Sequence, residues 1–179
     1  MTFDADAKPI VLLTTVVITT ILREMSTKLQ KELKQTKPFT SLEEEVHLSI
    51  LLTTERLVSG ISETLKQSEL TPTQYNVLRI LRGAGAVGTS CRDIGERMVT
   101  KDSDITRLLD RLETRGLISR ERAEDRRFIV ARITDAGLRL LAELDAPIAE
   151  RHRRQLGHMG EKKLASLRKL LEEARDSEA

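Results

Sequence analysis

The chain has 179 residues and a formal net charge of +2, enough length for one ordinary domain with a real core but no polybasic coat for nucleic acid. Charged residues make up 32% and aromatics 2%, which fits a helical protein with a core of Leu, Ile and Val and removes the usual stacking handles for a ligand. A single cysteine, Cys91, rules out an internal disulfide framework and fits a reducing cytoplasm.

Residues 1–38 form an N-terminal extension. Ile10–Leu22 reads IVLLTTVVITTIL, thirteen uncharged residues of which ten are β-branched. Spanning a bilayer takes about 20 apolar residues, so the stretch is too short for an ordinary transmembrane helix. The acidic start at Asp4 and Asp6 does not suit a signal peptide. Three readings stand: an extra helix or arm, a disordered extension with the biological start at Met25, or an attachment segment. Lys28–Lys37 reads as a basic amphipathic helix or linker.

Residues 39–69 carry a long amphipathic helix predicted over Thr40–Ser68. Ser41 with Glu44 three residues later is a capping-box signature, and Val46, Ile50, Leu57, Ile61 and Leu65 are apolar positions. Thr71, Pro72 and Gln74 then give a clear helix start, and Val77, Leu78 and Leu81 form its inner stripe up to a stop at Gly83. Gly83, Gly85 and Gly88 spell GxGxxG, but a helix precedes them and no parallel sheet is predicted, so they read as a helix–helix connector. Ser90 and Asp93 repeat the capping pattern for a short helix with Cys91, Ile94 and Met98 facing inward.

The most informative segment is Lys101–Gly137. Ile105, Leu108, Leu109 and Leu112 fall at i, i+3, i+4 and i+7, an apolar stripe on one helix face. The other side then carries Ser103, Thr106, Arg107, Asp110, Arg111 and Thr114, suited to phosphate and base contacts. Asp102 and Asp104 open this helix as caps, as acceptors for cytosine N4, or at a cost in affinity. Gly116 stands where the helix ends. Leu117–Arg122 and Phe128–Ile133 each alternate apolar and polar residues, a hairpin with Glu124, Asp125, Arg126 and Arg127 at its tip. Two arginines there suit a narrow minor groove, although such a tip is also an ordinary solvated turn. Local clusters drawn from Arg107, Arg111, Arg115, Arg120, Arg122, Arg126 and Arg127 would have to supply the attraction to DNA.

Helix, glycine turn, two short helices, strand, Arg-tipped hairpin and strand is the ground plan of a winged helix-turn-helix. Leu70–Gly137 resembles the DNA-binding domain of the MarR family of bacterial transcription regulators. The pieces that carry the likeness are LTPTQYNVLRIL, DITRLLDRLETRGLISR and EDRRFIVARITDAG, the last with Asp two residues before Arg and a Thr-x-x-Gly helix start. The resemblance implies that Arg127 is the minor-groove wing arginine, oriented by Asp125. It also implies that Ser103, Thr106, Arg107 and Arg111 lie at or near the major groove; Lys101 and Arg126 join them as candidate DNA-binding residues.

Residues 138–179 are predicted as a long helix capped by Thr134 and running to about Leu156, a break at Gly157–Gly160, and a last helix with Leu164, Leu167, Leu170 and Leu171. Leu171–Ala179 reads as a fraying polar tail. Such apolar terminal helices call for a second copy, so the predicted architecture is mainly α with a small β-wing, a winged helix-turn-helix plus a helical dimerisation region. A two-fold dimer would set its recognition helices one DNA turn apart, about 10–10.5 base pairs, over a pseudo-palindromic operator. The resemblance further implies a small-molecule effector in the crevice beside the dimerisation helices, lined by Leu57, Ile61, Tyr75 and Leu138, which shifts the population toward a helix spacing that mismatches the operator.

Other chemistries find less support. Cys91 sits on an inner face, where thiols are usually packing residues, although a redox-sensing regulator acting through it stays an alternative, as does a winged-helix interaction module without DNA binding. His47, His152 and His158 are scattered without metal-ligand spacing, no catalytic motif is present, and no cofactor, metal or membrane partner is expected.

Overall fold

A computed structural model of the chain describes residues 28–100, 104–122 and 129–176. It divides into two compact units, residues 1–55 and 56–179.

In the first unit, α1 spans Lys28–Glu32, closed by an exposed Lys28–Glu32 pair at 3.8 Å. The segment read as a basic helix or linker is thus helical only over Lys28–Glu32; Lys34 takes a left-handed backbone conformation, and the chain to Thr40 is irregular. The next helix, α2, spans Leu42–Leu65, with Glu43, Glu44 and Glu45 in its first turn, where the helix dipole favours carboxylates. Its capping box is displaced by one residue. Ser41 Oγ accepts from the Glu44 N–H at 3.2 Å, but the Glu44 carboxylate reaches back to the N–H and hydroxyl of Thr40 at 2.7 and 2.6 Å.

The second unit starts within α2 and holds the core. A 3₁₀ turn, Lys66–Ser68, replaces the last predicted helical residues. The capping box of α3, Pro72–Ala84, is complete: Thr71 Oγ1 accepts from the Gln74 N–H at 3.1 Å, and Gln74 Oε1 accepts from the Thr71 N–H at 3.0 Å. Val77, Leu78 and Leu81, the predicted inner stripe, are fully buried. A 3₁₀ turn over Gly85–Val87 leads into β1, Thr89–Ser90, so the GxGxxG glycines span a helix end and a strand entry. Then come α4, Cys91–Arg97, capped by Ser90, and α5, Ile105–Thr114.

The hairpin is β2, Ile118–Arg122, paired antiparallel with β3, Ile129–Ile133, in the register Ile118↔Ile133 to Arg122↔Ile129. The two-residue β1 adds to the far side of β3, giving the strand order β1-β3-β2. That third strand is not among the predicted elements. A two-residue strand has no periodicity to detect; it exists because its backbone pairs with β3.

After Thr134, whose hydroxyl accepts from the Gly137 N–H at 3.2 Å, α6 runs Asp135–Leu156 and carries Pro147 inside it. Proline cannot donate the hydrogen bond expected by the carbonyl four residues earlier. Gly157–Met159 forms a 3₁₀ turn and α7 spans Gly160–Asp176, so the predicted tail is helical as far as Asp176. Leu65, Val77, Leu78, Leu81, Ile94, Leu109, Leu112 and Leu141, each 0% exposed, join α2 through α6 in one hydrophobic cluster. Burying each such side chain is worth about 1.5–3 kcal/mol. The architecture is mainly helical with a three-stranded antiparallel sheet.

Candidate nucleic-acid interface

The helix that would read bases is α5. Its sequence sorts cleanly by face: Leu108, Leu109 and Leu112 are buried, Ile105 is half-buried, and Thr106, Arg107, Asp110, Arg111 and Thr114 are exposed. The helix begins at Asp104, whose Oδ1 accepts from the Arg107 N–H at 3.0 Å. Of the roles open to this Asp, the structure shows the cap. The helix ends in a Schellman turn: the Gly116 N–H donates to Glu113 O at 2.7 Å and the Leu117 N–H to Leu112 O at 3.0 Å. Gly116 has φ +67°, a left-handed conformation that a side chain opposes.

The arginines divide by what holds them. Arg107 and Arg111 are exposed and, among the described residues, form no ion pair. They line an open cleft of about 430 Å³ together with Arg115, Glu69 and Gln74. Arg115 is anchored, donating from Nη1 to Glu69 O at 2.7 Å and from Nη2 to Ser68 O at 2.9 Å. Arg120 is bound between Asp110 and Glu113, at 2.5 and 2.6 Å. Its hydrogen bond to Glu113 holds that carboxyl below the ordinary carboxylate range. Arg132, which sequence reasoning had passed over, donates to Ala86 O at 2.9 Å and pairs with Glu121 at 2.7 Å. Arg115 and Arg120 thus stand among the structural arginines, although their charge alone marks them as DNA contacts. Arg122 is exposed at the end of β2.

Lys101, Ser103, Asp125, Arg126 and Arg127 lie outside the described residues, as does Asp102. Of the four residues expected to line an effector crevice, Tyr75 is in the core, with Arg79 5.8 Å over its ring, and burial raises its phenol pKa. Ile61 packs against that core and Leu57 is half-buried one helical turn before it. Leu138 is exposed at the start of α6. A second cleft, about 370 Å³, opens between the end of α2 and α6, lined by Glu63, Thr64, Gln67, Pro147, Glu150, Arg151 and Arg154; no sequence signal marked it.

Cys91 is half-buried and packs against the core, while the neighbouring Arg92 pairs with Glu96 at 2.9 Å. Among the described residues, no group of three His, Cys, Asp or Glu side chains is placed to hold a metal. No helix among them is long and apolar enough to cross a membrane.

A capped helix with an exposed arginine face, preceded by a short helix and followed by a β-hairpin, defines a winged helix-turn-helix DNA-binding protein. The chain belongs to the MarR family. That family's pattern matches residues 70–129. The crystal structure of a MarR transcription factor from Planctomyces limnophilus is 41% identical, with 75% of this chain and 98% of that one covered and a TM-score of 0.59. The transcriptional repressor MdtR of Bacillus subtilis is 34% identical over 94 residues, 52% of this chain; the match spans only 59% of MdtR. The PcaV regulator of Streptomyces coelicolor, solved with its natural ligand, is 26% identical with a TM-score of 0.65, covering 80% of this chain and all of that one. The proteins it resembles here are transcription regulators.

Proposed function

We propose that this protein is a cytoplasmic, homodimeric repressor that binds a pseudo-palindromic operator and is released by a small ligand. The observation that carries this reading is the outer face of α5, where Arg107 and Arg111 stand exposed on a helix fixed by a cap at each end. Thr106, Arg107 and Arg111 meet the major groove together with Lys101 and Ser103, and Arg127, oriented by Asp125 and flanked by Arg126, enters the minor groove. Residues 70–137 form the DNA-binding domain in this reading. Residues 39–69 and 138–179 form the dimerisation region, and 1–38 an extension. Leu42, Val46, Ile50 and Leu51 on α2 and Leu170 on α7 are exposed in the single chain, apolar surface that a second copy would cover.

Repression is supported by the likeness to MdtR and ligand control by the likeness to PcaV. The effector would sit in the crevice near Leu57, Ile61, Tyr75 and Leu138, and it acts by favouring a spacing of recognition helices that mismatches the operator. The chain performs no catalysis and takes no cofactor in this scheme.

Fluorescence anisotropy on the duplex upstream of its own coding sequence and on an unrelated duplex, across a salt series, tests the proposal. Tight, salt-steep binding to the upstream duplex that Arg127→Ala weakens is the expected result. Equal, weak binding to both duplexes, indifferent to Arg127→Ala and repeated on sequences from an unbiased selection, would favour a winged-helix module that contacts protein instead.

A further inference from the structure

We propose that Arg120 is a positioning residue for DNA reading, a brace that fixes the wing strand β2 to the recognition helix α5 without itself touching DNA. The proposal rests on the DNA-binding function above and adds a role for a residue whose charge alone would mark it as a DNA contact.

The brace is built from both ends. Arg120 Nη2 lies 2.5 Å from Asp110 Oδ1 and 2.6 Å from Glu113 Oε2, and its Nε donates to the same Glu113 oxygen at 2.9 Å. The other Glu113 oxygen accepts the backbone N–H of Arg120 at 2.9 Å. One carboxylate on α5 therefore grips both the side chain and the main chain of β2, so helix and strand are registered at the backbone. Arg120 also faces Ala131 across the sheet, and Ala131 is fully buried at the centre of β3. A shift of β2 at this point would move the whole hairpin.

Three features set this arginine apart from Arg107 and Arg111. Its side chain is only 20% exposed, whereas Arg107 and Arg111 are exposed. Its guanidinium grips Glu113 through both Nε and Nη2 while Nη2 also meets Asp110, a fixed planar arrangement that the single nitrogen of a lysine does not reproduce. It also masks Asp110, an exposed carboxylate on the face that Arg107 and Arg111 share. Unmasked, that charge would face phosphate.

The test separates a brace from a contact. Full-length wild type, Arg120→Lys, Arg120→Ala, Arg120→Glu and the exchange variant Glu113→Arg/Arg120→Glu are titrated against the tightest duplex that wild type selects from a random library, and against an unrelated duplex. Salt is varied, and thermal melting is followed in parallel. A phosphate contact contributes about 0.9 to the slope of log affinity against log salt, and a brace contributes none. The expected result is that Arg120→Lys, with charge unchanged, loses about tenfold in preference for the selected duplex and keeps the wild-type slope. The exchange variant recovers preference over Arg120→Glu alone, which a carboxylate could not do by touching DNA. The brace is overturned if Arg120→Lys matches wild type while Arg120→Ala flattens the slope by about one. It is equally overturned if the exchange variant is no better than Arg120→Glu. Should Arg120→Lys fail to fold, the exchange comparison decides. Failure of wild type to select any sequence would sink the DNA-reading function itself, a distinct result.

Discussion

Arg82 on α3 holds both carboxylate oxygens of Asp145 on α6, with Nη1 3.0 Å from Oδ1 and 2.9 Å from Oδ2, and Nη2 3.0 Å from Oδ1. The hydrogen bond from Arg82 keeps the Asp145 carboxyl below its ordinary range. Its folded pKa is thus lower than its unfolded one, so the pair stabilises the fold above the unfolded carboxylate range and that contribution is lost as pH falls through the folded value. The side chains are 35% and 50% exposed, so solvent screening keeps the energy small. Asp145→Asn should lower unfolding stability by about 0.5–1 kcal/mol at neutral pH. Urea melts at descending pH should show wild type and variant converging; a gap that persists in strong acid would refute the account.

Asp104 should behave as a cap. Asp104→Ala removes the acceptor for the Arg107 N–H and is expected to cost about 1 kcal/mol in thermal or chemical unfolding, whereas Asp104→Asn, which still caps, should stay within a few tenths. Equal losses in the two variants would mean that the negative charge, not the cap, is what the helix needs.

Two glycines in the DNA-binding unit should resist alanine for different reasons. Gly116→Ala is strained by its backbone conformation, with open space around it, and should lose about 1–2 kcal/mol. At Gly137 a Cβ would meet the backbone oxygen of Leu117 and Ile133 Cγ1 at 2.7 Å, so the start of α6 must move off the sheet. Gly137→Ala should therefore be the more destabilising of the two, and denaturant midpoints that rank them the other way would count against this packing.

Arg107→Ala and Arg111→Ala should weaken operator and unrelated duplexes alike where they contact phosphate, each flattening the salt slope by about 0.9. Arg115→Ala, which releases the carbonyls of Ser68 and Glu69, should act on thermal stability and leave the slope unchanged. A slope change at Arg115 with none at Arg107 would reverse the assignment of faces.

Much of the fold was legible because it is local. The Thr71 and Thr134 caps, the leucine stripe of α5, its glycine stop and the alternation within each wing strand all depend on residues within a few positions of each other. Likewise, the outward face of Thr106, Arg107 and Arg111 follows from helical spacing once the leucines are buried. The helix ends were less legible, as at Leu65, where the last turn tightens to 3₁₀, and at Asp176, where polar residues continue a helix.

What the sequence alone determined is the class of the longer elements and which side of the α5 and α3 helices faces inward, since hydrophobic period and capping chemistry act over single turns. The tertiary structure decided which charges are free. Arg107, Arg115, Arg120 and Arg132 are alike as letters. Only folding brings Ser68 and Glu69 to Arg115, Asp110 and Glu113 to Arg120, and Ala86 to Arg132. The same is true of β1, whose two residues become a strand because β3 offers unpaired backbone groups. The physical reason is one: a long side chain or a short backbone segment takes its partner from whatever the packed core places within about 3 Å, and that distance is set across the fold, not along the chain.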